Sequence, residues 1–485
     1  MNKVSLVWMR RNLRLQDNIP LSKALSQSDK IIPIFIFDSD ILARFSNKMD
    51  RRLSFLANII FGINDELKAV GGQIMVFYGK PANIIPRLAK SLNVKNIYAD
   101  QDFEPATIER DDLVKKQLLG IAELNLYCDH LLLPPDSILN QNNLPYKVYT
   151  PYMKAFRRFI TEDSFNLFEN SIMNNEIFRQ YDCDLQNKLI NIDLDIFRDD
   201  DLQLVDISCG SQEMLKQIGY IYKQDNLWIP KNANATLEGF IKNKLEKYKD
   251  NRDFLAIDGT SSISPYLRFG IISIRKCYKL AFESLESLGN ATWVNELIWR
   301  EFYAMILYHF PAIVTEEFQT KYLNKIPWQR DQEMLYKFTN AQTGFPIIDA
   351  AVTQLIQDGW MHNRARMIVG SFFTKNLFMD WRMGEEFFAQ YLMDYDLASN
   401  IGGWQFSSSC GTDAQPYFRI FNPFTQGKNF DSDANYVKKY LPTLRSVSSD
   451  IIHNPNFTNL YPNYPKPMVE YSETRRIAID IFRNI

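Results

Sequence analysis

The chain has 485 residues, 46% hydrophobic and 23% charged, which is ordinary globular composition with room for two to four domains and an enclosed cofactor. A formal net charge of −2 excludes a protein that coats nucleic acid through bulk positive charge, so any DNA contact must use a local basic patch. Five scattered cysteines without a CxxC pair, and four dispersed histidines, exclude a disulfide framework and a zinc site, so no metal is expected.

The amino terminus runs from Met1 into an apolar strand with no signal region, and no apolar run approaches the ~20 residues of a membrane span. The expected location is cytoplasmic, with no membrane association and no obligate protein partner. In chain order, Val4–Met9, Ile31–Phe37, Gln73–Tyr78 and Asn96–Ala99 predict strands, with helices over Arg52–Val70 and Pro81–Leu92. That alternation predicts an α/β domain over 1–130, a Rossmann-like parallel sheet covered by helices. No GxGxxG or P-loop marks a dinucleotide site there. The segment 131–205, with Pro134-Pro135, Asn140–Asn143 and Asp199-Asp200-Asp201, predicts an interdomain connector whose acidic run is a solvated face. From 206 to 485 the pattern predicts an all-α domain. Within it, Ile347, Ile348, Ala351, Val352, Leu355 and Ile356 form one apolar stripe, with Pro346 at the helix start and Gly359 at its stop.

Four segments of this half carry chemistry. At about 100° per residue, Trp293, Glu296, Trp299 and Arg300 fall on one arc of a helix, which is either a ligand-facing arc unlike a normal core face or an amphipathic face with a surface ion pair. Asn363, Arg366, Met367 and Gly370 share a second helical face, where Gly370 admits a close neighbour and Arg364 and Arg366 suit phosphates. Asp394 to Gln405, with Asp396, Asn400 and the pair Gly402-Gly403 before Trp404, predicts a ligand-wrapping loop whose acids accept hydrogen bonds from a ribose or a ring N–H, or else a glycine turn with capping acids. Thr260, Ser261 and Ser264 precede a helix, as a phosphate cradle or an ordinary N-cap. An aromatic content of 14% further suits a flat ligand or electron transfer.

The order of these segments resembles the photolyase and cryptochrome family, most closely its class I cyclobutane pyrimidine dimer photolyases. The resemblance begins at Val7–Asn18 and continues through the hydroxyl segment, Trp293–Tyr303, Gly344–Met367, Asp380-Trp381-Arg382, Asp394–Gln405, Gly411–Pro423 and Tyr464–Val469. It implies one non-covalent FAD, active in its reduced form, in the helical domain. By resemblance Tyr248, Thr260, Ser261 and Ser264 contact its phosphate and ribose region. Trp293, Arg300, Asn363, Arg366, Asp394, Asp396 and Asn400 complete the cofactor set, with Asn400 facing the reactive ring nitrogen. Plant cryptochromes have Asp at that position and animal ones commonly Cys.

The implied activity is light-dependent repair of UV-damaged DNA. The excited cofactor lends an electron to a cyclobutane pyrimidine dimer flipped out of the duplex, the ring opens and the electron returns, so the enzyme is a carbon–carbon lyase. Glu296, Trp299 and Met367 match the lesion contacts, Asn363 and Met367 stand where (6-4) photolyases carry histidines, and Arg252, Arg364 and Arg419 match a DNA-facing rim. Trp404, Trp381 and Trp328 match the family's electron relay. Folate-binding relatives have an Asn-Glu pair where Phe103-Glu104-Pro105 is here followed by Ala106-Thr107, and Thr315 replaces a lysine near the antenna. These departures argue against folate and leave a deazaflavin, another flavin or no antenna open. The alternatives are a cryptochrome-type photoreceptor and a flavoprotein unrelated to DNA. Asn400, the lesion set, the arginine rim and the short Val469–Ile485 ending favour repair.

Overall fold

The structure is a computed structural model, which describes residues 3–160, 184–190 and 202–485. The acidic run at 199–201 lies outside the described residues. The chain divides into two compact units that interleave in sequence. One comprises Met1–Ser137, Lys154–Glu238 and Ser262–Glu283, the other Ile138–Met153, Gly239–Ser261 and Ser284–Ile485. A linear division at 130 and 205 follows the changes of sequence texture, whereas compactness assigns 206–238 and 262–283 to the first unit.

Among the described residues the first unit has six strands: β1 Val4–Met9, β2 Lys30–Asp38, β3 Met75–Gly79, β4 Asn96–Asp100, β5 Glu123–Tyr127 and β6 Gln203–Leu204. Their order is β5-β4-β1-β2-β3-β6, parallel throughout except where β6 joins β3 antiparallel. Strands covered on both faces need near-continuous apolar runs, and Leu6, Trp8, Ile32, Ile34, Met75, Phe77, Ile97 and Ala99 supply the shared core. The strand predicted from Gln73 starts instead at Met75, because the Ile74 N–H donates to the Asn64 side chain rather than to a ladder. The helix Pro105–Gln117 gave no periodic signal, since its buried face holds only Asp111 and Val114.

The second unit is helical. Pro346–Asp358 starts on its proline and ends on Gly359 at φ 65°, as the stripe and its punctuation predict. Leu288–His309 and Asn363–Ser371 carry the two chemical faces. A correction in this unit concerns Asp394 to Gln405. Only Asp394, Tyr395 and Asp396 form a loop, and Leu397–Ser407 is a helix capped by Asp396, whose carboxylate accepts from the Ser399 N–H at 3.0 Å. Gly402 is needed in this helix, because a Cβ there would strike the Tyr303 ring at 2.3 Å, and the close packing repays its lost propensity; Gly403 faces open space.

Candidate functional site

The Leu288–His309 helix presents Trp293, Glu296, Trp299 and Arg300 as the arc requires. Trp293, 2% exposed, packs on Phe240 at 5.1 Å between ring centroids, and Phe240 packs on Tyr248 at 5.6 Å. The structure thereby joins two members of the cofactor set that are distant in sequence. Trp299 lies flat against Tyr149, with centroids 3.6 Å apart and planes 6° from parallel. Tyr149 also donates its hydroxyl to the Asn295 carbonyl at 2.7 Å. Tyr149 escaped the sequence reading because it sits in the segment taken as connector, and no motif marks it.

Spacing alone pairs Glu296 with Arg300, four residues on. The structure pairs Glu296 with the Arg252 guanidinium instead, while Arg300 turns to buried Glu301 at 3.4 Å. Burial opposes the Arg252 charge, but Glu296 raises its pKa further above the usual guanidinium range. The cluster extends through Asp253, which lies 4.0 Å from Arg252 and 2.8 Å from Arg364. Arg364 stacks over the Phe430 ring at 4.3 Å. Arg252, Glu296 and Arg364 are thus brought together around one aspartate. Arg419 is exposed on a different segment, where its backbone carbonyl accepts from buried Lys375 at 3.0 Å.

His362 reports the local field. Its Nδ1 accepts the Arg364 N–H at 3.1 Å and caps the Asn363–Ser371 helix. Burial, together with Arg364, Arg366 and Arg252, holds its pKa down to about 4 against the pull of Asp253. Burial is the larger cause and the three arginines add to it, so a chain of net charge −2 carries local positive charge here.

On the same helix Asn363 is exposed and Arg366 and Met367 half-buried, between buried Ala365, Ile368 and Val369. Arg366 clamps Asp394 through one nitrogen, at 2.8 and 3.0 Å to the two oxygens. Gly370 allows the Ser407 side chain within 2.9 Å of where a Cβ would stand, which locks this helix to Leu397–Ser407. Asn400 is 9% exposed, and its amide donates to the Glu385 carbonyl at 3.1 Å and to its carboxyl at 3.0 Å. Burial pushes the Glu385 carboxyl up, partly offset by Asn400 and Tyr395. Thr260 and Ser261 end their segment of the second unit, and Ser264 opens a short helix of the first. The N-cap position of that helix is Ile263, whose side chain makes no cap bond. Gly259 is required before the hydroxyls, because a Cβ there would meet Asn251 at 2.7 Å.

The three indoles lie on connected elements. The Trp404 ring rests on Gly384, where a Cβ would be 2.2 Å away, and Trp381 begins the helix that carries Gly384. Gln329, beside Trp328, accepts the Asp380 N–H at 2.9 Å, next to Trp381. Asn400, Arg366 and Trp404 put an amide, a guanidinium and an indole on packed helices, and Asp394 adds a carboxylate from the loop that Arg366 clamps. That donor set fits a flat ring system with a polar edge and charged substituents, as a flavin nucleotide has.

Residues 5–166 match the family model described as DNA photolyase, and residues 293–484 match the FAD binding domain of DNA photolyase. A deoxyribodipyrimidine photo-lyase of Synechococcus is 35% identical, over 96% of this chain and 94% of its own. Among solved structures, a bacterial class III photolyase from Agrobacterium tumefaciens is similar, with TM-score 0.81, 26% identity and coverage of 100% of this chain and 98% of its own. A Synechocystis cryptochrome also has TM-score 0.81, at 25% identity and 99% coverage of both chains. The chain belongs to the DNA photolyase family. Its helical half is the family's FAD-binding part.

Proposed function

We propose that this protein is a light-dependent DNA repair enzyme, a deoxyribodipyrimidine photo-lyase that binds UV-damaged DNA and splits cyclobutane pyrimidine dimers in the cytoplasm. The observation that carries the reading is the Arg252–Glu296 ion pair beside Trp299, on the helix that also buries Trp293. Bound reduced FAD supplies one electron on excitation and takes it back. The chain's own residues do the rest.

Tyr248, Trp293, Asn363, Arg366, Asp394, Asp396 and Asn400 hold the cofactor, with Thr260, Ser261 and Ser264 towards its phosphates and Arg300 beside it. Asn400 is orientated by Glu385, so its amide is fixed before the cofactor arrives. Trp299 and Met367 pack against the extruded lesion, and Glu296 bonds its polar edge once the Arg252 pair rearranges. The electron placed on the lesion puts negative charge on that edge, where a hydrogen-bond donor gains strength as charge develops, a role that Glu296 fills as a neutral carboxyl freed from Arg252. Arg252, Arg364 and Arg419 neutralise flanking phosphates. Trp404, Trp381 and Trp328 relay electrons that bring oxidised cofactor to its active state. Trp404→Phe therefore abolishes photoreduction yet spares repair by chemically reduced enzyme. The domain division of the reading is an α/β antenna domain, a connector and a helical catalytic domain; the identity of an antenna stays open.

The deciding experiment incubates reduced protein with a dimer-containing oligonucleotide under blue light and in darkness. Restored adjacent thymines in light alone support the reading. A flavin-loaded protein that restores none in either condition favours the photoreceptor alternative.

A further inference from the structure

The three relay indoles differ in what their N–H groups meet. The Nε1 atoms of Trp381 and Trp404 are buried and have no protein acceptor among the described residues. The half-buried Trp328 donates its Nε1–H to the Glu317 carboxylate at 3.0 Å. Glu317 is 5% exposed, so this is not a casual surface contact.

Its position is over-determined. Gln405, the residue after Trp404, donates to the Glu316 carbonyl at 2.8 Å and accepts from the Phe318 N–H at 2.9 Å. The backbone is thus gripped on both sides of Glu317 by the helix that carries the innermost indole. Arg382 adds an ion pair to Glu317 at 3.2 Å. Burial pushes the Glu317 carboxyl up, but the Trp328 N–H and Arg382 hold it below the usual range, so it stands ionised at neutral pH. The Arg382 guanidinium also lies 4.6 Å over the Trp381 ring. That placement suits a neutral ring and disfavours an oxidised, cationic one. Charge placement therefore pushes a hole away from Trp381 and attracts it to Trp328, beside a carboxylate.

We infer that Glu317 is the proton acceptor for the outermost relay indole, Trp328, and that this transfer traps the hole there. The inference rests on the relay reading above. Trp328 gives one electron through Trp381 and Trp404 to the photoexcited oxidised flavin, which is the oxidant. The indole radical cation, a far stronger acid than indole, then breaks its Nε1–H bond. The proton forms an O–H bond on Glu317 Oε1, and the N–H electron pair stays on nitrogen. The products are a neutral indolyl radical and a neutral carboxyl, so atoms and charge balance. Among the described residues Trp381 and Trp404 have no protein base at Nε1 to receive such a proton, so a hole on either stays cationic and passes on. Glu317 is a general base for Trp328 and touches neither lesion nor flavin.

The test follows a light flash on flavin-loaded protein by transient visible and infrared absorption. In the native chain a protonated-carboxyl band rises as the indole radical cation converts to the neutral radical, and both slow in D2O. Glu317→Gln keeps an acceptor for the N–H but removes the base. The band disappears and the radical cation lives on the order of a hundredfold longer, a typical loss for one general base. Glu317→Asp keeps a carboxyl on a shorter arm, so its band survives with slower transfer and covers the case in which the Gln variant does not fold. If the Gln variant loses its proton at the native rate, the proton leaves for water and Glu317 is not the base, while the relay stands. If flashed native protein shows no indole radical that Trp328→Phe removes, the relay reading fails and the inference with it.

Discussion

Two arginine–aspartate clusters, one in each unit, use the same residue types for opposite ends. In the first unit Arg14 and Arg275 converge on Asp129 at 2.8 and 2.6 Å, and Arg275 also holds Asp17 at 2.7 Å. Further guanidinium N–H groups are spent on the carbonyls of Asp17 and Gly270, and Asp129 also accepts the Ile19 N–H. The Asp129 and Arg275 side chains are 0% and 1% exposed. In the second unit Arg252, Glu296, Asp253 and Arg364 are joined by single contacts, and the carboxylates of Glu296 and Asp253 keep 31% and 39% exposure. The first cluster is buried and multiply bonded and cannot exchange partners without leaving a buried charge. The second can open for a phosphate or a polar base edge. Burial and the number of shared bonds, rather than residue type, separate a structural knot from a working surface.

Asp129→Ala exposes that difference most strongly. It leaves two buried arginines without their shared partner and should cost about 3–5 kcal/mol, whereas Asp253→Ala, at a half-exposed site, should cost no more than about 1 kcal/mol. Denaturant midpoints of the two variants measure the gap, and equal losses would erase the distinction. Burial pushes the Asp129 carboxyl up, but Arg14 and Arg275 outweigh it and hold the pKa below its usual value. Its contribution is therefore present above the unfolded pKa of about 4 and lost as pH falls below it.

Arg252→Ala should leave stability nearly unchanged and weaken DNA binding, lowering the log–log salt slope by about one unit. Titration of affinity against salt checks this, and an unaltered slope removes Arg252 from the phosphate footprint.

The smallest expected effect is on His362. Its imidazole should stay neutral down to about pH 4, and Arg364→Ala should move that titration upwards by removing positive charge. Imidazole NMR signals report it directly; a midpoint unmoved or lowered in the variant would mean that Arg364 does not set the field there.

The two units were not equally legible in sequence. Parallel strands announce themselves as apolar runs between turn residues, and Pro346–Asp358 as a stripe between a proline and a glycine. The Leu397–Ser407 helix was hidden by Gly402-Gly403, because what makes Gly402 tolerable is Tyr303 from another helix. The site had the same limit. The arc of Trp293, Glu296, Trp299 and Arg300 follows from helical spacing, so its face was readable. The true partner of Glu296 is not its neighbour four residues on but Arg252, 44 positions earlier. Tyr149 on Trp299, and Glu317 on Trp328, are likewise tertiary contacts that no local pattern encodes.

The most direct test of the account is a single Glu296→Ala preparation in which FAD occupancy, lesion affinity and repair yield per absorbed photon are measured together. The half-exposed Glu296 is not needed to hold the fold, so occupancy should stay native. Lesion affinity should fall by about one ordinary hydrogen bond, roughly 0.5–1.5 kcal/mol, while the yield drops further because the missing contact matters most once charge reaches the lesion. Collapsed occupancy with an unchanged yield per bound FAD would contradict the account, and would make the Arg252–Glu296 pair a second structural knot.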